Sequence, residues 1–135
     1  MDNIMKKLVL VMLLVVTGAA SIAAHAVEYS CDATRQVGHN FEHSSDQLTN
    51  FKISTLIEES SEGSFVSRCS RVSSAAEVTC DRFKIDQVVY DKYPKIKKYY
   101  HFLSQFDIQL FPDLSFVENN GRGFIYHGKC VLLFP

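Results

Sequence analysis

The chain has 135 residues and a formal net charge of −1 at pH 7, from 14 Lys plus Arg against 15 Asp plus Glu. That length excludes several domains of ordinary size, and that balance gives no general attraction to nucleic acid. Four cysteines in so short a chain leave room for two covalent staples around a small core.

Residues 1–26 read as a cleavable secretory signal. Lys6 and Lys7 supply a positive start, residues 8–16 form an unbroken apolar run of nine, and Ala24-His25-Ala26 offers a small-x-small cleavage site. A membrane anchor would need about 20 predominantly apolar residues, but Thr17, Gly18, Ser21 and His25 interrupt the run. A lipidated start would place a cysteine at the cut, whereas Cys31 follows Glu28-Tyr29-Ser30. The expectation is an exported protein, periplasmic or secreted, with a single mature domain at 27–135 and no membrane span after cleavage.

An even cysteine count in an oxidising compartment predicts disulfides. A four-thiolate zinc site would want C-x-x-C pairs, and Cys31, Cys69, Cys80 and Cys130 provide none. Strands are predicted at 27–33 and 51–57, joined by a polar stretch at 35–50. Within that stretch His39 and His43 are four apart, with Glu42 and Asp46 nearby, which on a helix would align two metal ligands. Gly38, Asn40, Ser44 and Ser45 favour a loop instead, so neither metal nor cofactor is expected. The serines from 54 to 74 lie in no G-x-S-x-G elbow. Glu58 and Glu59 are adjacent, and on a strand they would point to opposite faces. No catalytic residue is assigned.

Cys69 and Cys80 are symmetric about Ser74-Ala75, so a hairpin turning there sets them opposite each other. The same register opposes Arg68 to Asp81 and Val66 to Phe83, a charge pair and an apolar pair suited to cross-strand neighbours. Cys31 and Cys130 are left to tie the two ends of the mature chain. Phe83, Ile85 and Val89 mark a further strand, with a bulge near Gln87 where the alternation slips. Phe106, Ile108 and Leu110 mark another, ended by Pro112-Asp113 at the centre of a turn. Residues 114–117 form a third, Asn120-Gly121 is a hairpin signal, and 124–133 return as its partner.

The segment 90–101 combines Lys92, Lys95, Lys97 and Lys98 with Tyr90, Tyr93, Tyr99 and Tyr100. Ammonium groups beside aromatic rings suit an anionic polymer or a sugar face. The same composition also suits a solvated edge strand guarded by lysines. Tyr93-Pro94 could instead open a short helix within 91–103. Arg122, at the tip of the Asn120-Gly121 hairpin, is a further contact candidate.

These elements predict a mainly β fold, a single small disulfide-stapled antiparallel sandwich or barrel-like domain, with at most one short helix. Its plan, a β-rich body with cysteines near both ends, is similar to that of several small exported bacterial proteins, periplasmic lysozyme inhibitors among them. No shared motif accompanies that likeness of plan. The expected function is non-enzymatic binding or an accessory role in the bacterial envelope, inhibition included. The partner would be an exported protein, a glycan or an anionic envelope polymer, and not nucleic acid. Competing expectations are a small periplasmic hydrolase using a histidine and a carboxylate, and a structural envelope component with an uncovered sheet edge.

Overall fold

The computed structural model describes residues 26–134. The signal expected at 1–26 therefore lies outside the described residues except for Ala26. The strands are β1 (Val27–Val37), β2 (Glu42–His43), β3 (Ser54–Ser60), β4 (Gly63–Ser70), β5 (Thr79–Lys84), β6 (Gln87–Asp91), β7 (Ile96–His101), β8 (Phe106–Leu110), β9 (Ser115–Asn119) and β10 (Ile125–Phe134). One helix, α1 (Ser45–Phe51), stands between β2 and β3.

All pairings are antiparallel, in the order β5-β4-β3-β1-β10-β9-β8-β7-β6, with the short β2 beside the end of β1. The sheet is thus two meanders joined at the β1/β10 seam, and it curls into a half-barrel. Its outer strands, β5 and β6, are successive stretches of one chain. Between them the Ile85 amide donates to the Ser64 carbonyl of β4 at 2.9 Å, and the next amide, Asp86, donates to Tyr100 of β7 at 3.0 Å. The single strand with a bulge expected near Gln87 is instead two strands, and the slip in alternation falls at this switch of partners, which carries the chain from one rim of the curled sheet to the other.

The inward phase of the strands builds the core. Cys31, Ile57, Val66, Tyr99, Phe106, Ile108 and Phe116 are each at most 1% exposed. Phe83 of β5 packs edge-on against Phe106 of β8, with ring centroids 5.2 Å apart, so the two meanders close on each other. Such edge-to-face contacts add to the burial of the rings.

Both predicted bridges are formed, Cys31 to Cys130 and Cys69 to Cys80. Each joins residues directly opposed on neighbouring strands. The β4/β5 hairpin has the register expected from the sequence, with Val66 against Phe83, Arg68 against Asp81 and Cys69 against Cys80. Two disulfides fit an oxidising extracellular or periplasmic setting. Among the described residues no helix is long and apolar enough to cross a membrane.

Two local expectations are corrected. Residues 91–103 hold no helix. They form a turn after β6, then β7, because Lys95 takes a left-handed φ of 55° and the side chains beyond it alternate, with Lys97 and Tyr99 turned inward and Lys98 and Tyr100 outward. The helix lies instead in 35–50 and its border, where a loop is predicted. There the Ser44 amide donates to Gln47 Oε1 at 2.9 Å, which closes the first turn, while Lys52 ends the helix at φ 49°. Leu48 is its single buried residue, so seven residues show no apolar stripe.

Candidate functional site

The lysine and tyrosine segment is divided by the pleat. Lys92, Tyr93 and Lys95 stand on the turn between β6 and β7, with Tyr93 97% exposed. The Tyr93 amide donates to Asp91 Oδ1 at 3.2 Å, an Asx-type contact that shapes this turn. Lys98 and Tyr100 are half-buried on the outer face of the sheet. Lys97 and Tyr99 point inward and are taken by Glu59 of β3. Lys97 Nζ lies 2.9 and 3.0 Å from its two oxygens, and the Tyr99 hydroxyl donates to Oε1. Burial, reinforced by the Glu59 charge, holds the Tyr99 phenol well above the usual tyrosine range. Tyr99 is fully buried, so it anchors the hairpin and presents no ring to a partner.

Arg122 does not join this group. Its turn follows β9 and packs on the turn after β7, since a Cβ built on Gly121 would lie 2.5 Å from the Ser104 carbonyl oxygen. The lysine turn precedes β7, whose six residues separate the two turns by about 20 Å. Arg122 itself is exposed.

A second feature arises where the two meanders face each other. Glu118 of β9 points inward and is 3% exposed. Its Oε2 accepts from the Thr55 hydroxyl at 2.8 Å, and its Oε1 accepts from Arg68 Nε at 2.6 Å. Arg68 also lies 5.2 Å above the Phe106 ring, a placement that favours a cation. These groups floor a cleft of about 200 Å³ bordered by Ser54, Ser70, Asp81 and Tyr126. Burial and the nearby Glu118 charge raise the Tyr126 phenol above its ordinary value. The Tyr126 hydroxyl accepts from the Gln36 amide at 3.1 Å, and Gln36 Oε1 lies 3.0 Å from His43 Nδ1.

From the sequence Asp81 is expected only as the register partner of Arg68, and Glu118 and Tyr126 carry no expectation. The available signal was a charge in apolar phase, because Phe116, Glu118 and Asn120 share one side of their strand. Arg68 and Asp81 are register partners as expected, yet they make no ion pair among the described residues, since Arg68 spans the interior to Glu118.

His39 is exposed in the bend before β2, and His43, His101 and His127 do not gather around one carboxylate. The His101 ring stacks on Phe106 at 5.0 Å, and its Nδ1 accepts from the Ser104 amide. His43 and His127 pair with the consecutive residues Gln36 and Arg35 of β1, which places them on opposite faces of the sheet. Among the described residues no group of three or more His, Cys, Asp and Glu side chains could hold a metal ion. No protein-family model, characterised protein or solved structure matches this chain.

Proposed function

We propose that this protein is an exported, non-enzymatic binding protein of the bacterial envelope, an inhibitor or accessory factor, acting through the 92–95 turn. The observation that carries this reading is Tyr93, 97% exposed between two exposed lysines on a hairpin held from within. A free aromatic ring offers large contact area at the cost of only two side-chain torsions, and the Glu59 clamp on Lys97 and Tyr99 keeps the loop in place before binding. Preorganisation of that kind lowers the entropy lost on association. Two flanking ammonium groups favour an anionic partner surface, which an acidic envelope polymer, a glycan with acidic groups or an exported protein supplies. The spread of the histidines favours binding over the hydrolase reading.

The test is retention of the exported protein on an acidic polysaccharide matrix and on an envelope extract, beside a Lys92→Glu/Tyr93→Ser/Lys95→Glu variant. Loss of retention by the variant, with its melting temperature unchanged, supports the turn as the binding surface. Equal retention of both proteins removes it.

A further inference from the structure

The cleft above Glu118 has the opposite electrostatic character to the lysine turn, and it is built by different strands. Three charged side chains face it. Arg68 is directly opposite Asp81 across the β4/β5 ladder, where a cross-strand ion pair is the default arrangement. Its guanidinium turns away and bonds to Glu118, over the Phe106 ring. Asp81 is left exposed and makes no ion pair among the described residues. Two carboxylates against one guanidinium give the cleft a surplus negative charge, which low-dielectric walls focus toward its mouth.

We infer that this cleft binds one cationic group, the guanidinium or ammonium of a side chain on a partner protein. Asp81 supplies the charge, and the hydroxyls of Ser54, Ser70 and Tyr126 border the same space as acceptors. A guanidinium brings five donors and an ammonium three, a demand that a carboxylate ringed by hydroxyls meets. Size points the same way. At about 200 Å³ the cleft is smaller than the roughly 300 to 1,000 Å³ typical of drug-sized ligands, but it admits the end of one long side chain. An anionic ligand would meet the Asp81 charge, and the one cation of the lining already bonds through Nε to Glu118.

This site is separate from the lysine turn, so its failure and the failure of that proposal are distinguishable. The experiment is an amide NMR titration of the exported protein, both disulfides formed, with Nα-acetyl-arginine methylamide. Its uncharged isostere Nα-acetyl-citrulline methylamide is the control. Shifts confined to residues around Ser54, Ser70, Asp81 and Tyr126, absent with the citrulline compound, support the site. Asp81→Asn, an isosteric exposed change, should weaken that binding by about tenfold, the worth of one charge-assisted hydrogen bond. A Lys92→Glu/Lys95→Glu protein should bind the arginine compound as the parent does. Equal shifts with the citrulline compound, or equal affinity in Asp81→Asn, overturn the proposal. A further arm compares an arginine-containing tetrapeptide with ethylammonium. Tighter binding of the peptide supports a protein partner, and tighter binding of the free amine overturns that part.

Discussion

Glu118 carries a heavy local cost, because a carboxylate at 3% exposure must recover its lost hydration from neighbours. Thr55 and Arg68 supply that recovery. Removing one partner of a buried pair leaves the other stranded, so Glu118→Ala should lower stability by about 3 kcal/mol, while Arg68→Met combined with Glu118→Leu should recover much of the loss. Urea denaturation of the two variants measures both values. Tyr99 adds a dependence on pH. Its phenol is raised above the ordinary value by burial and by Glu59, so the folded state keeps a proton that the unfolded chain releases above about pH 10. Stability from this group is complete below that pH and declines as the pH rises beyond it. Melting curves from pH 8 to 10.5 should fall less steeply for Tyr99→Phe than for the parent. Gly128 is fixed by space, since a Cβ there would lie 1.9 Å from the Asp32 carbonyl oxygen and 2.6 Å from the Phe116 ring. Gly128→Ala should therefore cost about 3 kcal/mol, the upper range for overpacking, again read from urea denaturation.

Individual hairpins were largely legible because their signals are local. Val66, Arg68 and Cys69 each have a suitable partner at the same distance across Ser74-Ala75, and a register error of one residue would send every side chain to the wrong face. The Pro112-Asp113 turn closes through the Leu114 amide bonding to the Phe111 carbonyl. Leu114 itself takes φ 61° in that turn, so β9 begins one residue later than the apolar pattern suggests. The α1 helix is not legible in the sequence because one buried leucine leaves no periodicity, and its signal there is the spacing of Ser44 and Gln47. At this scale the Cys69 to Cys80 bridge closes a short ring, with a separation of 11. Replacing both cysteines with Ser should cost about 3 kcal/mol in the chain-entropy view, measured by thermal melting.

The terminal bridge belongs to the molecule as a whole. Cys31 to Cys130 spans a separation of 99 and pins the seam where the two meanders meet. Its loss should cost about 4 to 5 kcal/mol, more than the hairpin bridge, because the closed loop is longer. Serine variants of each pair, compared in the same melting series, test that order. Charge is likewise settled globally. Residues 27–66 are mainly acidic and 67–101 mainly basic, yet Lys97 pairs with Glu59 and Arg82 with Glu58, so part of the asymmetry cancels inside the fold. The lysines of the 92–95 turn remain exposed.

The β class, both disulfide pairings and the β4/β5 register followed from the sequence, since alternation, cysteine number and local symmetry are properties of neighbouring residues. Only the tertiary structure decided which lysines stay free and where the buried charge finds its partner. The pleat sends Lys97 and Tyr99 inward to Glu59, and the curl of the sheet carries Arg68 across to Glu118. Contacts between strands 38 to 50 residues apart depend on how far the sheet bends, and no local pattern of residues encodes that curvature.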